Sequence, residues 1–361
     1  MIRLTKHQLF TLMFIFEIGS TTLFALGIEA KQDAWIVILI ALLIGLGYIW
    51  IYTEIQNAFP DKNYIEIIIS ILGKALGTPL ALLYPLEWIW HAARNLREFG
   101  ELIVLTVLPK THLWIILLLF LSVSVYSLLK GTEVLARASE IALPVLLLFL
   151  IIIYILIYIS GDVDFNRLTP VLGEGIVPIL KTVPRVVMFP FGEMFIFLMY
   201  WCNAEDKSSI RRTSMVAVLE SGILLCISMI VQISVLGVQY TSIATIPMLE
   251  VITLINIGNI ISNIDVLGVM IIFMGGFFKM SIYLNGIVQA FTTVFKTRKY
   301  KLVLALVSAF LFWFSMSFEA NFAVHKWMYP FDIHFFGLLY TSVFPPLLLV
   351  IYLLKKKRCK L

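Results

Sequence analysis

The sequence predicts an all-α polytopic membrane protein: ten spanning helices in a five-plus-five inverted repeat, with the first and sixth helices broken. Three observations predict it. Of 361 residues, 61% are hydrophobic and only 14% charged, with a mean hydropathy of +0.98. A soluble domain is nearer half apolar and a quarter charged. Second, the chain divides into ten apolar stretches, each near the ~20 residues that a bilayer requires of a helix. Third, two of those stretches carry helix-breaking residues at corresponding places. The 20 Gly and 13 Pro are ordinary for this length, which excludes collagen-like and low-complexity chains. Cys202, Cys226 and Cys359 lie far apart with no ligand-like spacing, so neither a disulfide framework nor a metal site is expected. Residues 1–361 thus read as one integral membrane domain, with repeat one over about 8–160, repeat two over about 180–354, and a basic cytoplasmic tail at 355–361. There is no cleavable signal peptide in this reading. The first apolar run carries Glu17, lacks a small-residue cleavage site, and leads directly into further spans.

The spans fall, within a few residues, at about 8–28, 34–57, 79–108, 112–130, 138–160, 180–201, 214–238, 262–295, 301–318 and 334–354. The third and eighth are long enough to tilt or to project beyond the headgroups. The stretch 64–76 is too short and too charged to span and reads as an interfacial helix. The stretch 243–261 is apolar but interrupted by Pro247, Glu250, Asn256 and Asn259. It reads as a helical loop on the protein, with a re-entrant segment as the alternative.

Basic residues set the orientation. With the N-terminus inside, the cytoplasmic segments hold most of the 27 Lys and Arg, including Arg211, Arg212 and the run Lys355-Lys356-Lys357-Arg358. The outer segments hold only Lys31, Lys110, Arg167, Lys181 and Lys326. This asymmetry predicts both termini in the cytoplasm and an even number of spans. It also accounts for the +5 net charge as a topology anchor beside anionic lipid, with no role in nucleic-acid binding.

The first span reads Glu17-Ile18-Gly19-Ser20-Thr21-Thr22. A glycine followed by three hydroxyl residues is poor helix material, because Gly costs about 1 kcal/mol against Ala and the hydroxyls compete for backbone hydrogen bonds. The sixth reads Phe189-Pro190-Phe191-Gly192-Glu193. Proline removes an amide donor there and clashes with the preceding turn. Matched breaks in two halves mark an inverted-repeat transporter fold with its site at the repeat interface; the alternative is two kinks repaired by neighbours. Unwinding exposes amides near Ser20 to Leu23 that would suit a carboxylate, and carbonyls near Glu17 and Ile18 that would suit an ammonium or metal cation. A zwitterionic amino acid matches both.

Glu17, Arg94, Glu193 and Lys279 lie at similar depth in the first, third, sixth and eighth spans, and their charges cancel. Each alone is costly, so pairing across one interior cavity is expected. Glu87, His91, Arg94, Glu98 and Glu101 share one face of the third span. They read either as an internal salt-bridge ladder or as the wall of a binding path. His91 reads as a satisfied interior residue rather than a proton switch. Lys279 follows Gly275 and Gly276, which permit close helix approach. Its ammonium is expected against the exposed carbonyls of the first span, in the place of a bound sodium ion.

Several stretches together resemble the B-type subunits of the spore nutrient germinant receptors, in the amino acid/polyamine/organocation transporter superfamily. They are Leu4-Thr5-Lys6-His7-Gln8-Leu9-Phe10, Phe16-Glu17-Ile18-Gly19-Ser20-Thr21, Lys31-Gln32-Asp33-Ala34-Trp35, Phe59-Pro60-Asp61-Lys62, Pro190-Phe191-Gly192-Glu193, and residues 275–285. The resemblance implies a small-nutrient sensor in a spore inner membrane, working with an A-type membrane subunit and a C-type lipoprotein. It implies a pocket between spans 1, 3, 6 and 8. The ligand-binding residues expected from charge, breaks and resemblance together are Glu17, Gly19, Ser20, Thr21, Thr22, Arg94, Asn95, Glu98, Pro190, Phe191, Gly192, Glu193, Lys279 and Ser281. No cofactor is expected. The rival reading is an amino acid transporter of the same fold completing an alternating-access cycle. An enzyme is not expected, since no nucleophile–base pair, metal cluster or phosphate-cradling Gly loop stands out.

Overall fold

The computed structural model describes residues 3–19, 21–255, 265–319, 324, 327–328 and 332–359. Ser20, Asn256, Asn259 and Lys326 lie outside them. The helices are α1 (Lys6–Ile18), α2 (Ala34–Ala58), α3 (Tyr64–Thr106), α4 (Leu113–Lys130), α5 (Thr132–Ser160), α6 (Ile176–Met188), α7 (Ile210–Ile243), α8 (Pro247–Thr253), α9 (Asp265–Val294), α10 (Tyr300–Ser317) and α11 (Phe344–Cys359). A π-helical stretch, Asp332–Val343, leads into α11. Among the described residues nine helical stretches are long and apolar enough to cross a bilayer. The tenth span is the first in the chain, and it fails that test because its helix stops at Ile18.

The two breaks have different shapes. The Gly19 amide closes the last turn of α1 on the Ile15 carbonyl. The chain then makes a short 3-10 turn, Thr21–Leu23, and resumes only with the 3-10 stretch Ile28–Asp33. Among the described residues the first span, expected to run to about residue 28, does not resume as an α-helix after Gly19. In the sixth span α6 ends at Met188, Phe189 is extended, and Phe191–Met199 continues as a 3-10 helix. That interruption sits at Pro190, where the missing amide requires it.

Two further boundaries differ from expectation. The segment 64–76 is helical but joins the third span directly, bending at Gly73, whose φ of 79° suits glycine. The basic tail is not separate either, since α11 carries on through Lys355, Lys356 and Lys357 to Cys359. Of the interrupted stretch 243–261, Pro247–Thr253 forms α8, packed on α7 and α9.

Packing is tightest where glycines face each other. The end of α1 crosses α9 so closely that a Cβ on Gly275 would lie 2.2 Å from the Gly19 Cα. A Cβ on Gly276 would lie 2.6 Å from the Phe99 ring of α3. Small residues thus bring the first, third and eighth spans together, as their spacing predicts. At the N-terminal face, Thr5 and Gln8 form a capping box on α1. Leu4 then pairs by two backbone hydrogen bonds with the chain after the sixth span: its amide donates to Asn203 (2.8 Å) and its carbonyl accepts from Glu205 (2.8 Å). The two broken spans are therefore fastened to each other at one end. Beside this clasp the Asp206 carboxyl is held below the usual carboxylate range by hydrogen bonds from Ser208.

Candidate functional site

A cavity of about 400 Å³ lies between the break of the first span, α3, the break of the sixth span, and α9. That volume is within the usual range for small-molecule sites. Its rim is on the face opposite the N-terminus and includes Glu29, Arg185, Ser242 and Thr245. Glu29 and Arg185 form an ion pair with side chains 47% and 32% exposed. Its base is buried: Glu193 and Lys279 are 6% and 2% exposed.

The base is built from opposed charges. Lys279 Nζ lies 2.5 Å from Glu193 Oε2. It also sits over two aromatic faces, Phe189 at 4.4 Å and Phe16 at 5.2 Å from the ring centres. Glu193 is bound again by the Tyr283 hydroxyl, which donates to Oε1 at 2.7 Å. His91 Nε2 lies 2.9 Å from Glu87 Oε1, and its Nδ1 lies 3.9 Å from Glu193 Oε1. Arg94 reaches across to Glu319 at 3.5 Å. Lys279 and Arg94 thus each have a buried carboxylate close by, as low dielectric demands.

Below this layer, toward the N-terminal face, the space is filled by rings. Phe16 precedes Glu17, Tyr84 precedes Glu87, Phe197 follows Glu193, and Tyr283 follows Lys279, each on the side nearer the N-terminus. Phe16 packs on Phe197 and Tyr283 at 5.4 Å. Phe195 packs on Trp88 at 5.7 Å and on Tyr84 at 5.8 Å. The cavity therefore opens to one face and is closed from the other by aromatic packing.

The family follows from comparison of the whole chain. The model of the family described as "Spore germination protein" matches residues 3–323. This chain belongs to that family. It is 34% identical to Spore germination protein KB of Bacillus subtilis (strain 168) over 361 residues, covering 99% of this chain and 96% of the relative. It is 29% identical to Spore germination protein A2 of the same organism over 168 residues, 46% of this chain and 45% of the relative. Among solved structures it resembles a Na+-coupled sialic acid symporter in a substrate-bound outward-open state. There the TM-score is 0.66 at 14% identity, over 94% of this chain and 79% of the symporter. It also resembles MhsT in complex with L-phenylalanine, with a TM-score of 0.66 at 13% identity over 95% and 87% of the two chains. These likenesses establish the fold: an all-helical multi-pass membrane architecture shared with these transporters, five helices plus five, with the first and sixth broken.

Within this germination protein the cavity gathers some of the expected residues and leaves others aside. Arg94, Asn95, Glu98, Glu193 and Lys279 line it. Glu17, Gly19, Thr21, Thr22, Pro190, Phe191, Gly192 and Ser281 do not; they are packed behind its wall. Glu17 is fully buried, and neither of its oxygens has a hydrogen-bond partner among the described residues. Ser20 lies outside those residues. The third-span stripe divides: Glu87, His91, Arg94 and Glu98 face the cavity, while Glu101 pairs with Arg97 at 2.7 Å. Only part of it is an internal ladder.

Lys279 does not sit where the sequence placed it. It pairs with Glu193 and makes no hydrogen bond to a first-span carbonyl. The carbonyls bared by the break are met instead by Gln232 of α7, whose amide donates to Thr22 (3.0 Å) and Phe24 (3.4 Å). Sequence reasoning passed over Gln232, Glu319, Arg185 and Glu29. A lone amide in the seventh apolar run was the available signal for the first of these, because such a group needs a partner in the membrane. For the Arg185–Glu29 pair there was none, since its two residues stand 156 positions apart.

Proposed function

We propose that this chain is the nutrient-sensing subunit of a spore germinant receptor. It sits in the spore inner membrane with both termini in the cytoplasm and takes a small ligand, an amino acid in the first instance, into the cavity between spans 1, 3, 6 and 8. An A-type membrane subunit and a C-type lipoprotein would receive the signal. The observation that carries this reading is the base of the cavity. Lys279, Glu193, His91 and Glu87 are paired with one another there rather than with solvent, in direct contact with the break of the sixth span. A zwitterion has an ammonium and a carboxylate that can exchange partners with such pairs. Binding then changes which ion pairs hold the broken span, and so favours one arrangement of it over another. A ligand with equal affinity for both arrangements would shift nothing. Span 6 is fastened to span 1 through Leu4 and Ala204, so a shift at the base would reach the N-terminal face.

A transporter reading shares this geometry, because a cavity open to one face and closed by rings from the other is also one end of an alternating-access cycle. Purified protein in liposomes separates the two, with a panel of radiolabelled amino acids as probes. Saturable binding of one of them, without time-dependent accumulation, is the expected result. Accumulation inside the vesicles makes the chain a transporter. No binding by any amino acid removes that ligand class. Gly19→Val and Glu193→Gln should both blunt the nutrient response while the protein still inserts. Unchanged dose–response curves for both would remove the cavity from the proposal.

A further inference from the structure

An exposed carboxylate stands on α7, a helix long and apolar enough to cross the bilayer. Glu220 is exposed, and among the described residues it has no hydrogen bond or ion pair. Its depth follows from its neighbours. Arg211 of α7 donates to Thr53 Oγ1 of α2 at 3.1 Å, and its guanidinium lies 5.5 Å from the centre of the Trp50 ring. These three residues mark the end of the helix pair nearer the N-terminal face. Farther along, Gly222 packs against Leu42. The helices run antiparallel, so Glu220 is level with the turn of α2 around Ile44, about 13 Å along the axis from Arg211. A lysine could carry its charge back to the headgroups on a long stem; a glutamate with two methylenes cannot.

The surface around it is otherwise apolar. On α7, Leu219, Ile223 and Ile227 are 42%, 46% and 43% exposed. On α2, Leu43 and Ile44 are 70% and 39% exposed. Between Leu43 and Trp50 the stripe is notched at exposed Gly47, where an added Cβ would meet nothing within 4 Å. The bilayer does not solvate a carboxylate here, and the basic groups within the described spans are engaged elsewhere, while Arg212 stands with Arg211 at the end of α7 about 12 Å away. Arg94 faces Glu319, Arg97 faces Glu101, Arg185 faces Glu29, and Lys279 faces Glu193. Exposed Lys181 lies near the opposite face. A second copy of this chain would therefore bring no cation to the depth of Glu220 from its described spans.

We propose that the α2–α7 face around Glu220 docks a membrane-spanning helix of a different chain, one that carries an arginine or lysine at the matching depth. Charge complementarity names the occupant. A cation on the incoming helix gives Glu220 the partner that lipid denies it, and the Gly47 notch lets that helix approach closely. The surface is distinct from the cavity, and the inference stands whether or not the cavity binds an amino acid.

The test uses the full chain in the membranes of its own host, with p-benzoyl-phenylalanine placed at Ile223 or at Leu43. The expected result is a light-dependent adduct from both positions to one spanning helix of one other chain, mapped to within about a turn of an arginine or lysine. Glu220→Lys should lower the adduct yield at Ile223 at least about tenfold, since it sets like charges against each other in a dry interface. Reversing the partner's basic residue to glutamate in the Glu220→Lys background should restore it. Adducts to lipid alone, to a second copy of this chain, or to a helix with no basic side chain near the contact would each overturn the proposal. So would full yield in Glu220→Lys. If Glu220→Lys does not insert, the adduct map and the isosteric Glu220→Gln decide. In the latter an unchanged yield counts against the charge pairing.

Discussion

Lys279 and Glu193 are a buried pair 2.5 Å apart, and the value of such a pair is asymmetric. Removing one partner strands the other's charge in low dielectric, which costs about 3–5 kcal/mol. Replacing both with apolar groups can be close to neutral. Lys279→Met alone should therefore lower the midpoint of thermal unfolding in detergent, and Lys279→Met combined with Glu193→Leu should recover much of it. Neither variant should respond to nutrient. If the single and double variants unfolded alike, the two side chains would not be energetically coupled. A second residue-scale prediction concerns Gly275. A Cβ there meets the Gly19 backbone at 2.2 Å, which no rotamer change relieves. Gly275→Ala should push α1 from α9 and lower stability. Gly47→Ala, at the exposed notch where nothing lies within 4 Å, should not. Parallel unfolding curves of the two variants check this.

At the scale of elements, the first span is held open by a neighbour. A break in the membrane leaves carbonyls that must find donors, and Gln232 supplies them to Thr22 and Phe24. Gln232→Leu should leave the buried Thr22 carbonyl short of a partner, at about 1–3 kcal/mol, while the Phe24 carbonyl keeps the Leu26 amide (3.1 Å). Hydrogen exchange should then quicken over 21–26 while α3 and α5 keep their protection. Uniform loss of protection would mean that Gln232 supports the whole bundle rather than this one break. The positions of both breaks were legible in the residues Gly19 and Pro190, because helix propensity is local. The conformation beyond each break was not. A 3-10 turn after Gly19 and an extended Phe189 depend on what packs against them: Gly275 in one case, and α2 and the π-helical stretch with the residues after Pro190 in the other.

At the scale of the molecule, the cavity reaches one face only among the described residues. Ser242 lies at its exposed rim, and rings close the base from the side of the N-terminus. With the three native cysteines changed to serine, Ser242→Cys should be labelled in intact cells by a membrane-impermeant maleimide, and Arg137→Cys only after the membrane is opened. The reverse pattern would invert the orientation drawn from the basic residues. Ligand added before the reagent should slow labelling of Ser242→Cys if the cavity is where it binds.

Composition and hydropathy by themselves determined that the chain lives in a bilayer, how many times it crosses, and where two of its helices fail. These follow from transfer energies and backbone preferences that act over a turn or two of chain. Of the four midplane charges, Arg94, Glu193 and Lys279 were also readable as groups needing company, because an ionised side chain among apolar residues is costly alone. Only the tertiary structure decided which company. It gave Lys279 to Glu193 and Arg94 to Glu319, left Glu17 behind the cavity wall, and assigned the bared carbonyls to Gln232. Ion pairs and hydrogen bonds are decided by distances of an ångström or less between side chains far apart in the chain. Those distances are set by how closely helices pack, which no single helix encodes.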